Sequence, residues 1–187
     1  MILKVKELVT GTEFGVSTRH IKPIREAKAG DNITINFNNG RNPITIQEGI
    51  GALAIQQSVA GKSLAFIHCD DFNFQHEVII PLEDVKFIVP EGTDGLSRVV
   101  FNGNHEDIIV DNDLADILSQ QTAGPVLNLI QVTRIGQGLT NRDFILHTPK
   151  IRGLRPDTKG NGCVIEYYNV RDIRVSQSVD DIITALP

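Results

Sequence analysis

The residues best suited to chemistry stand in one short run, His68-Cys69-Asp70-Asp71, with His76 five positions further on. Imidazole, thiolate and carboxylate are the ligand types of zinc and related ions. On a strand, alternation turns His68 and Asp70 to one face and Cys69 to the other, so the run does not converge on one ion. No second pair at zinc-site spacing completes it. Ala60-Gly61-Lys62-Ser63 carries the last residues of a phosphate-binding loop, but Gln56 stands where that motif needs Gly. A helical pattern precedes it and a strand pattern follows, the reverse of the order the motif requires. His20, His105 and His147 are isolated, and no Ser/His/Asp or Cys/His set assembles. Gly136-Gln137-Gly138 reads as a hairpin, not a cofactor loop. These residues lead us to expect no catalytic centre, no cofactor and no metal site.

Two basic groups offer a different chemistry. Arg19, Lys22, Arg25 and Lys28 lie near the start of the chain, and Lys150, Arg152, Arg155 and Lys159 lie near its end. They fall at equivalent places in an internal repeat, and a polyanion or a protein partner could lie across both. The whole chain carries a net charge of −5, whereas nonspecific duplex binding depends on neutralising phosphates. Trp is absent and only two Tyr and eight Phe are present, so few rings can stack on single-stranded bases. Nucleic acid is therefore a possible partner that the sequence does not favour.

The elements that carry these residues recur three times, over 2–57, 65–121 and 128–186. One block reads His20-Ile21-Lys22-Pro23-Ile24-Arg25, then Asp84-Val85-Lys86-Phe87-Ile88-Val89, then Lys150-Ile151-Arg152-Gly153-Leu154-Arg155. Ile21, Val85 and Ile151 correspond, as do Ile24, Ile88 and Leu154, and each copy has a basic residue between them. A strand follows in each copy: Ile33 to Phe37, Arg98 to Phe101, Cys163 to Tyr168. Asn38-Asn39-Gly40, Asn102-Gly103-Asn104 and Asn169 then mark tight turns, because Asn and Gly tolerate positive φ. A returning strand comes next, Ile44 to Ile46, Ile108 to Val110 and Ile173 to Val175. Each copy closes on a helical trio at i, i+3, i+4 spacing: Ile50, Leu53 and Ala54; Leu114, Ile117 and Leu118; Val179, Ile182 and Ile183. Asn112 or Asp113 can cap the second helix and Ser178 the third. From Ile21 to Val85, Ile46 to Val110 and Ile50 to Leu114 the offset is 64 positions each time, which identifies duplication.

Each unit of roughly 60 residues holds about four strands and a helix. So small an open sheet exposes two edges, and curling it into a barrel removes them. We therefore expect a mainly β fold of three tandem SH3-like or Sm-like barrels, each ending in a short α-helix. The expected boundaries are 1–60, 61–124 and 125–187. The short linkers, Ser58 to Leu64 and Thr122 to Leu127, imply copies packed together rather than tethered modules.

The end of the third copy, Val175-Ser176-Gln177-Ser178-Val179-Asp180-Asp181-Ile182, resembles the small FlbD-type proteins encoded in flagellar operons. Its first strand, Leu129-Ile130-Gln131-Val132-Thr133-Arg134, is similar to the opening strand of that family. The resemblance covers copy three best, copy two in part and copy one in pattern. It implies the fold unit and brings no established catalytic residues. Members of that family are single small domains, and three fused copies depart from that pattern.

The copies differ in charge. Copy one holds seven basic and five acidic side chains, a net of +2; copy two holds three and twelve, a net of −9; copy three holds eight and six, a net of +2. An acidic block between basic ones could set electrostatic register between neighbouring molecules, or simply aid solubility. Cys69 and Cys163 fall on different strands of different copies, which argues for two reduced thiols near cores. The alternating start Ile2-Leu3-Lys4-Val5-Lys6 is a strand pattern, not a signal peptide, and no run is long enough to span a membrane. What recurs is an apolar skeleton, not a polar site. The sequence thus leads us to expect a noncatalytic structural or assembly protein, partnered by other protein subunits and oligomeric. The concrete reading is a bacteriophage virion component of the neck, tail or capsid-associated kind. It would be cytoplasmic during synthesis and then carried in the virion.

Overall fold

The computed structural model describes residues 2–17, 21–26, 32–47, 49, 53, 66–92, 95–103, 105–123, 127–135, 142–160 and 162–186. Copy one contributes β1 (Ile2–Lys6), β2 (Glu13–Ser17), β3 (Ile24–Glu26), β4 (Ile33–Ile35) and β5 (Ile44–Ile46). Copy two contributes β6 (Phe66–Asp71), β7 (His76–Pro81), β8 (Val85–Glu91), β9 (Leu96–Phe101), β10 (Ile108–Val110) and α1 (Leu114–Ala123). Copy three contributes β11 (Leu129–Arg134), β12 (Arg142–His147), β13 (Ile151–Pro156), β14 (Cys163–Tyr167), β15 (Ile173–Val175) and α2 (Val179–Ala185). A 3-10 turn, Thr148–Lys150, leads into β13. The fold is mainly β, and the strand pairs whose register is described are all antiparallel.

Among the described residues each copy has five strands where the pattern suggested about four. The added ones are β2, β7 and β12, whose sequences, EFGVS, HEVIIP and RDFILH, share no obvious motif. They hairpin onto the first strands: Lys4 pairs with Gly15, His68 with Ile79 and Gln131 with Ile145. The third, fourth and fifth strands of each copy form a meander. The first strand meets the fifth through Glu7 and Ile46 in copy one and through Arg134 and Val175 in copy three.

Packing divides the chain into two compact units, one of Met1–Glu83 with Thr122–Leu127, the other of Asp84–Gln121 with Asn128–Pro187. In the first, strands run in the order β6-β7-β3-β4-β5, with the β1-β2 hairpin bridged to β5. In the second, the order is β13-β14-β15-β11-β12-β8-β9-β10. Among the described residues neither sheet closes on itself, so the expected barrels are not present as closed rings of strands. The physical reason lies in the second strand of a copy. Its outer edge, which would complete a barrel with its own third strand, pairs instead with the third strand of the preceding copy.

The helices start as their sequences dictate. Asp113 and Asp116 bond reciprocally, the Asp116 N–H donating to Asp113 Oδ1 at 2.8 Å and the Asp113 N–H to Asp116 Oδ2 at 3.3 Å. Ser178 and Asp181 form the same capping box in copy three. The middle residue of each trio is reached by the same bond: the N–H groups of Leu53, Ile117 and Ile182 donate to the carbonyls of Gly49, Asp113 and Ser178 at 3.2 Å each. All three side chains are buried. Ile50 and Ala54 lie outside the described residues. The expected positive-φ turns are present at Gly40, Gly103 and Asn169.

One apolar core gathers Val5, Val16, Ile21, Ile24, Ile33, Ile35 and Ile46 of copy one with Phe66 and Ile79 of copy two. Another gathers Ile130, Val132, Phe144, Leu146, Ile165 and Val175 of copy three, with Phe87 and Val89 of copy two packed against it. Nearly all of this is aliphatic, as the scarcity of aromatic residues requires.

Candidate functional site

The basic residue shared by all three copies has a backbone explanation. In copy two, Val85 pairs with Phe101 and Phe87 with Val100, so β8 takes two steps against one on β9. In copy three, Ile151 pairs with Tyr167 and Gly153 with Glu166, the same slip. In copy one, Ile21 bridges Phe37 and Arg25 pairs with Thr34, four steps against three. Each copy therefore carries a β-bulge just after an aliphatic–aromatic pair, and Lys86 and Arg152 are the extra residues. Lys22 lies in the matching stretch. A bulged residue leaves the ladder, and a long charged side chain suits that exit to solvent. Lys86 Nζ stands 5.5 Å from the half-buried Phe87 ring centre and the Arg152 guanidinium 5.5 Å from the exposed Tyr168 ring, both cation–π distances.

The other expected contact residues are mostly engaged. Arg25 places Nε 2.9 Å from Oδ2 of Asp71, which is only 1% exposed, and its guanidinium lies 5.2 Å from the Phe74 ring. Asp71 Oδ1 also accepts the N–H groups of Asn73 and Phe74, at 3.0 and 3.3 Å. Arg155 donates to Asp172 at 2.7 Å and lies 3.7 Å from Glu166. Lys150 donates through Nζ to the Val85 carbonyl. Lys159 is exposed on the turn after β13, where its N–H donates to Asp157 Oδ1 at 3.0 Å. Lys22 is exposed. Arg19 and Lys28 lie outside the described residues. Lys22 and Arg25 belong to one compact unit, and Lys150, Arg152, Arg155 and Lys159 to the other.

The join between copies is built from residues whose role the sequence did not reveal. Ile24 of β3 pairs with Ile79 of β7, and Arg25 with Val78. Ile88 of β8 pairs with Ile145 of β12. Ile24 and Ile88 occupy one repeat position, and Ile79 and Ile145 another, so both joins use the same register. All four side chains are at most 2% exposed. Fully burying an isoleucine stabilises by roughly 1.5–3 kcal/mol, so each join is a substantial apolar contact. Phe87 and Phe144 add an edge-to-face ring pair at 5.3 Å across the second join. The first join adds the Arg25–Asp71 ion pair instead.

The residues considered for catalysis do not converge. Among the described residues no group of three or more His, Cys, Asp or Glu could hold a metal ion. His68 Nε2 lies 3.5 Å from Glu77 Oε2, while Cys69 is buried on the opposite face. Cys69 and Cys163 are buried and not joined in a disulfide, and burial raises the Cys163 thiol pKa, which makes it a poor nucleophile. His147 is packed against Tyr167, whose hydroxyl accepts the His147 backbone N–H at 3.1 Å and donates to the His147 backbone carbonyl at 3.3 Å. Burial, with Lys150 nearby, lowers the His147 pKa to about 4, and burial raises that of Tyr167 to about 12. His20, the Gly61-Lys62-Ser63 stretch and Gly136-Gln137-Gly138 fall outside the described residues. A hollow of about 260 Å³ in copy one is lined by Gly15, Val16, Ser17, Phe37, Asn39, Arg41 and Ile44, with no acid–base pair in it. Comparison with protein-family models, curated proteins and solved structures finds no match to this chain.

Proposed function

We propose that this chain is a noncatalytic structural protein that builds a larger complex, and that the complex is a bacteriophage virion, at its neck, tail or capsid. The observation that carries the reading is the repeated join. The chain spends its second and third strands on linking one copy to the next, in one register, and what the copies share is skeleton: bulge, turn and apolar core. The titratable residues that do stand together serve packing or charge neutralisation. No described helix is long and apolar enough to cross a membrane.

A polyanion-binding reading has less support. Arg25 and Arg155, the arginines at matching positions, are each held by a carboxylate. The role is tested by asking whether tagged chain is retained by the purified particles of its source, and whether loss of the chain leaves particles unfinished. A chain that binds no particle protein and is dispensable for particle formation would overturn it. A gel shift with duplex DNA at low salt, lost on combining Arg25→Glu with Arg155→Glu, would support the polyanion reading instead.

A further inference from the structure

We infer that the chain carries a third, unfilled join, and that its occupant is a second copy of the same chain. Both internal joins place the third strand of one copy against the second strand of the next. The last copy's third strand is β13, and the first copy's second strand is β2. Among the described residues, β13 pairs only with β14 and β2 only with β1. Each molecule thus presents the donor half of the join at one place and the acceptor half at another. The repeat fixes the register: Leu154 of one chain stands opposite Gly15 of the next, as Ile24 stands opposite Ile79 and Ile88 opposite Ile145.

The charges at these open strands match as well. Arg155 occupies the repeat position of Arg25. Glu7 occupies that of Asp71, and the turns that follow are alike. Gly11 donates its N–H to the Glu7 carbonyl and Gln75 to that of Asp71, at 3.0 and 2.7 Å, and both donors have positive φ, 68° and 55°. The Arg25–Asp71 pair of the first internal join therefore has a counterpart in Arg155 of one chain and Glu7 of another, formed by exchanging the Arg155 bond to Asp172 and the Thr10 hydroxyl on Glu7 for the new pair. Pro156 does not block the edge, because Pro90 stands at the same position of β8, which is joined to β12. Gly15 is exposed, so its backbone is accessible to a neighbouring strand. Such a head-to-tail contact is heterologous, so it generates a closed ring of two or more chains or an open filament.

This inference rests on the assembly reading above, and the experiment separates the two. Light scattering on the full chain should show species larger than one chain, growing with concentration. Arg155→Glu or Glu7→Arg alone should weaken association about tenfold or more, and the two together should restore it, with the far-UV spectrum unchanged throughout. Should a charge variant fold poorly, cysteines report the register directly. Directly opposed residues on antiparallel strands lie within disulfide reach. A mixture of Gly15→Cys chains and Leu154→Cys chains should form the mixed disulfide. A chain that stays monomeric at every soluble concentration overturns the inference, as does a disulfide between two Gly15→Cys chains in place of the mixed one. A monomer that still captures a particle protein leaves the assembly role standing without this join. Self-association through the mapped pair, with no particle partner, leaves the join standing and removes the virion role.

Discussion

At the scale of single residues, the copies act as controls for one another. Ser97 occupies the inward position that Ile33 fills in copy one and Cys163 in copy three, each paired with a fifth-strand residue: Ile46, Val110 or Val175. Its side chain is fully buried, and its hydroxyl has no hydrogen-bond partner among the described residues. Leaving such a group unsatisfied costs about 1–3 kcal/mol. Ser97→Cys, which borrows the copy-three residue, should therefore stabilise the protein by about 1 kcal/mol; a lower urea midpoint would contradict this. His147 sets a pH response. Its folded pKa, about 4, lies below the ordinary 6.5 because burial disfavours the imidazolium. The unfolded chain thus takes up the proton first, and stability is lost as pH falls from about 6.5 towards 4. The loss reaches at most about 3 kcal/mol, and His147→Gln should flatten that part of the stability curve. Asp157 adds an acid limb below this. Its hydrogen bond from Arg174 holds its pKa down, so its contribution is present above the ordinary carboxylate pKa and fades as pH drops through the folded value.

At the scale of elements, the bulge was half visible in the sequence. A basic residue between two apolar ones in all three copies marked a special position, but only the ladder registers show that it is an inserted residue. The distinction makes a prediction. Replacing Lys86 with Ala keeps the bulge and should change stability by no more than about 0.5 kcal/mol. Deleting Lys86 removes the bulge and moves one flank of β8 by one residue, so that its side chains exchange faces. Ile88, fully buried, sits two residues beyond. The deletion should abolish cooperative unfolding, while the Ala variant melts like the parent. Two helix starts were legible, because a cap is a local event that needs only the backbone three residues ahead: Ser178 outright, and Asn112 or Asp113 as alternatives between which the structure selects Asp113. The second strands were not legible. Glu13–Ser17, His76–Pro81 and Arg142–His147 are alike in position and unlike in sequence, because each faces a different neighbour.

At the scale of the molecule, the two joins account for compact units that ignore the repeat boundaries. The hairpin of copy two, β6 and β7, belongs with copy one, and its meander belongs with copy three. Truncating a buried isoleucine to Ala leaves a cavity and costs about 2–5 kcal/mol. Ile24→Ala and Ile88→Ala should both fall in that range. Leu154→Ala, at the same repeat position on β13, should cost a monomer clearly less, because Leu154 is only partly buried. Equal losses at all three positions would show that the joins are not what buries the first two. If the proposed head-to-tail contact forms, the cost of Leu154→Ala should rise with protein concentration, since binding stabilises the folded chain by mass action.

The sequence by itself determined the triplication, the strand–turn–strand–helix order, the capping residues, the segregation of charge and the absence of a recurring polar site. Each follows from residue type and short-range spacing, and three copies repeat the signal. Tertiary structure alone decided what the basic positions are, that β2, β7 and β12 are strands, and which strands of neighbouring copies pair. The reason is physical. A strand edge carries the same N–H and C=O groups whatever its side chains, so the sequence does not mark whether that edge closes its own barrel or joins a neighbour. That choice depends on which apolar faces meet, and here Ile24 meets Ile79 and Ile88 meets Ile145.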